Sequence, residues 1–218
     1  MFHPWTLVYL IAGVFCLRMG IRTLKANPEQ WSRRFLACML FIFAAWPILE
    51  FFMNLVDDMA LAELLYEMDI FILSFVFFFF LLIPYSMLRN IDRRVLTVFI
   101  PPVLVNIVLI IYGGVLTGVE QTEIGVEMHH NEPVFAFWVT VSMIVILTAY
   151  VLFYLAYREI EKPEFKRKIK IFCIGCGIAI ILGYILDVFG TSLLGLPPLG
   201  SVSAAVGMAI ASSAFGKS

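Results

Sequence analysis

The sequence predicts an all-α, polytopic membrane protein: a bundle of seven transmembrane helices with its N-terminus outside and its C-terminus in the cytoplasm. Hydrophobic residues make up 62% of the 218 positions and charged residues only 14%, whereas a soluble domain is about 45–50% apolar and about 25% charged. A chain this apolar cannot hide its surface from water, so its solvent must be lipid. Its lysines and arginines are confined to alternate connections between the apolar segments, which indicates the orientation.

Seven apolar segments are long enough, at roughly 20 residues each, to cross about 30 Å of hydrocarbon as helices. Helix is expected because an open strand edge would leave backbone groups without hydrogen bonds in lipid. We predict one domain covering residues 1–218. Its predicted spans are Trp5–Leu24, Phe35–Val56, Leu64–Leu88, Val95–Leu116, Val134–Tyr157, Ile169–Phe189 and Leu196–Phe215.

The basic residues decide the orientation. All 15 lysines and arginines lie at or beside the first, third and fifth connections or after the last span, and the other connections carry acidic residues instead. Basic residues stay on the cytoplasmic side, so the odd-numbered connections are predicted to be cytoplasmic, in a multi-pass protein of the plasma membrane. The lipid bilayer is the predicted surrounding. The net charge of −1 gives no reason to expect nucleic acid as a partner.

Polar side chains within the spans mark a candidate site, since each is costly in lipid. Glu50 lies about 24 Å above the cytoplasmic edge at 1.5 Å per residue, and Asp187 lies at nearly the same height. Asn54 is one turn above Glu50 on the same face. We predict a polar ligand pocket in the outer third of the bundle; alternatively, these groups make hydrogen bonds between helices. The pocket residues are Trp46, Glu50, Asn54, Asp69, Tyr184 and Asp187.

Two adjacent histidines lie in the longest outer connection, which covers about residues Thr117–Pro133. His129 and His130 are weak candidates for a metal or pH-sensing site. Adjacent histidines point in different directions and no third ligand follows from the spacing, so a solvated loop is expected. No cofactor is predicted. The spans contain no histidine and no nucleophile–base pair, so the chain is not expected to be an enzyme.

Small residues recur at every fourth position in the last two spans. This spacing lets helix backbones approach closely. We predict that these helices pack tightly, either against neighbours in the chain or across a homodimer. The positions are Gly175, Ala179 and Gly183, and then Ser203, Gly207 and Ala211.

Three short motifs accompany the seven-span layout. Ala-Ala-Trp-Pro-Ile-Leu-Glu ends at Glu50, Ile100-Pro101-Pro102 lies in the fourth span, and Leu196-Pro-Pro-Leu-Gly-Ser201 leads into the last span. With these motifs the chain resembles, over about its full length, the N-terminal seven-helix sensor region of membrane histidine kinases. The resemblance implies a non-catalytic sensor that precedes a coiled linker and catalytic domains. Because the chain ends at Ser218, we expect either a truncated receptor or a free-standing sensor that needs a partner.

The leading functional hypothesis is a receptor module of the two-component type. It would bind an extracellular or membrane-borne small ligand and signal to a cytoplasmic domain or partner protein. Glu50 and Asp187 favour a cationic or hydrogen-bonding ligand over an anion. One alternative is a small transporter or proton or cation channel that uses these two residues and Asn106, although no inverted repeat relates the halves. Another is a structural subunit of a membrane complex.

Overall fold

The computed structural model describes residues 6–26, 29–88, 114–122, 125–186 and 199–214, with a few further positions between 100 and 112. These ranges contain six helices and a two-stranded antiparallel sheet. The elements are α1 (Leu7–Ala26), α2 (Trp31–Met53), α3 (Met59–Leu88), β1 (Leu116–Thr122), β2 (Gly125–His130), α4 (Glu132–Glu159), α5 (Pro163–Tyr184) and α6 (Gly200–Ser213).

Four helices, α1 to α4, are long and apolar enough to cross a membrane. The first turns of α5 are rich in basic residues, and α6 is an apolar helix of 14 residues. The chain is therefore a membrane protein with several spans. Hydrogen bonds within each helix satisfy the backbone groups that lipid cannot.

The helix boundaries differ from the predicted spans where helices extend past the apolar segment. α3 begins at Met59 rather than Leu64, where the Asp58 carboxylate accepts a hydrogen bond from the Ala60 amide, as a helix cap does. α5 begins at Pro163 rather than Ile169, because proline is favoured in the first turn. Hydrophobicity delimits the lipid-crossing part of a helix, whereas capping residues delimit the whole helix.

The predicted fourth span, Val95–Leu116, lies largely outside the described residues. Its last residue is part of a strand rather than a helix, since β1 begins at Leu116 and pairs with β2. Val115, Leu116 and Val126 are buried against the first turns of α3. The connection before α4 is therefore a hairpin that packs on the bundle.

Neighbouring helices are in contact around a closed ring, from α1 to α6 and back to α1. Consecutive helices of this ring are antiparallel except for two pairs, α3 with α4 and α6 with α1, where Ser212 near the end of α6 contacts Met19 near the end of α1. Trp138 donates a hydrogen bond to Ser74 at 3.5 Å, and the rings of Phe153 and Phe80 lie 5.6 Å apart. These contacts advance in the same direction along both helices, so α3 and α4 are parallel.

The helix directions divide the bundle into two ends of opposite charge. Every lysine and arginine in the described part lies in one half, which we call the basic end; it includes the α1–α2 and α4–α5 connections. We call the opposite end, which includes the α2–α3 connection and the hairpin, the acidic end. Among the described side chains, the surface carboxylates of this end belong to Asp57, Asp58, Glu63, Glu67, Glu120 and Glu132.

The interior towards the basic end is filled with apolar side chains. The ring of Phe80 lies 5.7 Å from Tyr150 and 6.2 Å from Phe172. Leu40 and Met208 are each 1% exposed in the same cluster. Dense packing of large rings and aliphatic chains fills the space that helices of this diameter leave between them.

The contact between α5 and α6 uses the predicted small residues. A Cβ atom placed on Gly175 would lie 2.4 Å from the Ala211 backbone nitrogen, and one on Gly207 would lie 2.5 Å from the Ala179 Cβ. The prediction of close packing is confirmed, and the partners belong to the same chain. These two faces cover each other, so a homodimer would use other surfaces.

Candidate functional site

A buried carboxyl–hydroxyl contact joins α2 to α6 in the acidic half of the bundle. Glu50 is 7% exposed and Ser201, in the first turn of α6, is fully buried. The Ser201 hydroxyl donates a hydrogen bond to Oε2 of Glu50. A buried carboxyl is costly unless hydrogen bonds satisfy it, so this contact stabilises the start of α6 against α2.

Asn54 adds an amide one turn above Glu50. It caps the C-terminus of α2, where its Nδ2 donates a hydrogen bond to the Glu50 carbonyl at 2.8 Å. The side chain is buried, and its Oδ1 has no hydrogen-bond partner in the described part of the chain. An unsatisfied buried acceptor costs about 1–3 kcal/mol. A donor placed next to this oxygen would therefore be stabilising.

Asp69 and Trp46 lie about one turn closer to the middle of the bundle. The rings of Phe35 and Phe79 lie 6.1 Å apart, and Met53 shares a cluster with Ala62 at the other end of the same helix pair. Because α2 and α3 are antiparallel, counting residues from either contact places Asp69 at about the height of Trp46. Trp46 precedes Glu50 by one turn, so both residues lie roughly 6 Å from Glu50 towards the basic end. Asp69 is 5% exposed and Trp46 is half-buried.

The remaining predicted pocket residues belong to the sixth predicted span. Tyr184 is the last residue of α5, but its side chain is outside the described part. Asp187 and the mid-membrane candidate Asn106 also lie outside it. A Cβ on Gly183 would lie 3.5 Å from the Ser203 hydroxyl, so α5 ends at the level where α6 begins.

Ser201 was absent from the predicted pocket residues. Two features of the sequence point to Ser201. The Glu50 carboxyl needs a hydrogen-bond donor when it is buried, and the first turn of the last helix contains a serine. Which serine meets Glu50 depends on the rotation and height of α6 against α2. The structure thus brings Glu50 and Ser201 together, with Asn54 and Asp69 buried nearby along α2 and α3.

The hairpin is attached to the bundle through His130. The Tyr66 hydroxyl lies 2.5 Å from Nε2 of His130, and the His130 ring packs 4.2 Å from that of Phe135. Burial lowers the pKa of His130 below its ordinary value, and His129 lowers it further when charged. His130 is therefore neutral at pH 7, and its Nε2 shares a hydrogen bond with the Tyr66 hydroxyl.

The prediction of a solvated loop is wrong, because both histidines belong to β2 and only His129 is exposed. His129 is exposed and lies 3.5 Å from the Glu120 carboxylate. The two side chains have different partners because successive residues of a strand point to opposite faces. Within the described residues, no group of three metal-ligating side chains occurs.

A family model described as the N-terminal 7TM region of histidine kinase matches residues 8–217. The chain belongs to this family. No curated protein matches it significantly. The 7TM region is a membrane sensor of two-component signalling; it is not itself catalytic, and it implies a cytoplasmic signalling partner. The family match confirms the resemblance seen in the sequence, and it covers both Glu50 and Ser201.

Proposed function

We propose that this 7TM region is a receptor for a small ligand that binds in its acidic half and changes the packing of α6. The contact between Ser201 and Glu50 carries the proposal, because it connects the first turn of the last described helix to a buried carboxyl. The ligand is extracellular or membrane-borne, and it carries a cationic group or hydrogen-bond donors. The signal passes along α6 to a cytoplasmic domain or partner protein.

The same proposal includes seven spans in the plasma membrane, an outside N-terminus and a cytoplasmic C-terminus. Two observations support this topology. Because α3 and α4 are parallel, the chain between them returns from the basic end to the acidic end, as a further span would. The described basic residues all lie in one half, as expected for a cytoplasmic side.

The site chemistry supports a donor ligand. Glu50 and Asp69 are buried carboxyl groups, and the Asn54 Oδ1 is a buried acceptor. A ligand donor that reaches Glu50 competes with the Ser201 hydroxyl, which loosens the start of α6. Such a ligand signals only if it binds the two packing arrangements of α6 with different affinities.

The packing of the basic half favours sensing over transport. Leu40, Phe80 and Met208 are nearly inaccessible within its apolar core. A transporter or channel needs a polar path across the membrane, whereas the described core of the basic half is built mainly from apolar side chains.

The test is phosphoryl transfer from ATP in membranes that contain the native gene product and its signalling partner. Ser201→Ala and Glu50→Gln remove or weaken one buried hydrogen bond, worth about 1 kcal/mol, which alters a two-state ratio about fivefold. We expect both variants to change the basal phosphorylation by that order. Glu67→Gln is the matched control, because Glu67 is exposed at the acidic end.

The proposal fails if both variants phosphorylate like Glu67→Gln while their thermal unfolding shows an intact bundle. A thermal-shift screen of organic cations tests ligand binding. A compound that raises the unfolding temperature of the original protein but not that of Glu50→Gln occupies the site. Stable co-purification with a different chain, without any effect of these variants, would favour a structural subunit instead.

A further inference from the structure

A cleft lies far from Glu50, between α4 and α5 at the basic end. Its volume is about 220 Å³. Phe153 and Ile169 are buried at its base, and Tyr154, which is 60% exposed, lies at its opening. The cleft therefore opens to the outside of the bundle, where a membrane protein meets lipid.

The cleft has the chemistry of the membrane interface. Tyr150, Tyr154 and Tyr157 recur at spacings of four and three residues, so they share one face of α4. Tyrosine rings pack against acyl chains, and their hydroxyl groups remain in the polar layer. On α5, Ile169 and Cys173 complete an apolar lining.

Two lysines stand at the opening of this apolar cleft. Lys170 lines it, and Lys166, one turn earlier, holds its Nζ 5.3 Å from the centre of the Tyr157 ring. In the described ranges neither lysine forms an ion pair with a carboxylate, although Glu159, Glu161 and Glu164 lie at the same end. An anion at the opening would therefore meet two positive charges.

We propose that this cleft binds an anionic phospholipid, with an acyl chain along Tyr154 and Tyr157 and the phosphate held by Lys166 and Lys170. An apolar groove with cations at one end matches an amphiphile that has a negative head. A lysine near an anionic headgroup strengthens binding about fivefold, so two lysines give a preference of roughly 30-fold over a zwitterionic lipid of equal chain length.

The proposal is tested by native mass spectrometry of the full chain titrated with phosphatidylglycerol and with phosphatidylcholine of the same chains. We expect the original protein to retain phosphatidylglycerol roughly 30-fold better, and Lys166→Gln/Lys170→Gln to lose this preference. Lys168→Gln is the matched control. Lys168 is on the same helix about 200° away, and its Nζ lies over the Phe165 ring, so this variant keeps the preference.

Equal retention of both lipids by the original protein overturns the proposal. An equal loss in Lys168→Gln and in the double variant also does so, because it would show an unspecific effect of charge. Tyr154→Ala tests the contact with the acyl chain, because it removes an exposed ring from the cleft. We expect this variant to retain phosphatidylglycerol severalfold less well and to keep an unchanged unfolding midpoint. Inorganic phosphate has no acyl chain and is not expected to displace the lipid. If inorganic phosphate displaces phosphatidylglycerol at equal concentration, the two lysines bind free phosphate instead of a lipid headgroup.

Discussion

The contact between α5 and α6 allows a worked prediction for Gly175→Ala. The added Cβ would lie 2.4 Å from the Ala211 nitrogen, 2.6 Å from the Gly207 carbonyl oxygen and 2.8 Å from the Ala211 Cα. All three are backbone atoms, so no side chain can rotate away. Because non-bonded heavy atoms pack best at about 3.5–4.0 Å, the two helices must separate by about 1 Å.

The cost follows from this separation. Adding a methyl group to a well-packed interior costs about 1–3 kcal/mol, and the upper part of that range applies where only backbone can move. Replacing glycine by alanine within a helix gains about 1 kcal/mol of helix propensity. The expected net loss is therefore about 1–2 kcal/mol in the free energy of unfolding, which reduces the ratio of folded to unfolded protein roughly 5- to 30-fold.

The assay is equilibrium unfolding of the purified protein by sodium dodecyl sulfate in mixed micelles, followed by circular dichroism. Gly177→Ala is the control on the same helix, because among the described residues its added Cβ meets only the Tyr150 hydroxyl, at 3.3 Å. Gly177→Ala should unfold at the same or a higher denaturant fraction than the original protein. If Gly175→Ala is as stable as Gly177→Ala, the two helix backbones are not in contact and the reasoning is refuted.

Two further predictions concern the hairpin and the core. Burial lowers the pKa of His130, so below pH 6.5 the unfolded state binds a proton that the folded hairpin does not. The stability of the hairpin should thus fall as the pH drops from about 6.5 towards the lower folded-state pKa. Hydrogen exchange of the hairpin amides measures this change. His130→Gln should remove most of the pH dependence, and an unchanged slope in this variant would contradict the prediction. Phe80→Ala should cost about 3–5 kcal/mol in the unfolding assay by leaving a cavity, whereas Phe71→Ala, at a position 36% exposed, should cost much less; equal losses would show that Phe80 is not central.

Several features of the protein followed from the sequence because they depend on composition and local spacing. Apolar length identifies α1 to α4 as spans. The four-residue spacing of Gly175, Ala179 and Gly183 indicates a close helix contact, and the structure confirms it between α5 and α6. The motifs around Glu50 and Ser201 resemble the sensor family, and the family match confirms this. The first two inferences need only one helix at a time, and the third needs only the order of motifs along the chain.

Only the tertiary structure decided which residues meet. The sequence marked Glu50 as costly in lipid, but its partnership with Ser201 depends on how α6 is rotated against α2. The hairpin and the bond between Tyr66 and His130 depend on strand register and on the packing of β1 against α3. Hydrophobicity places a helix in the membrane to within a turn, whereas a hydrogen bond requires atoms within about 3 Å. Only packing against neighbouring helices provides that accuracy.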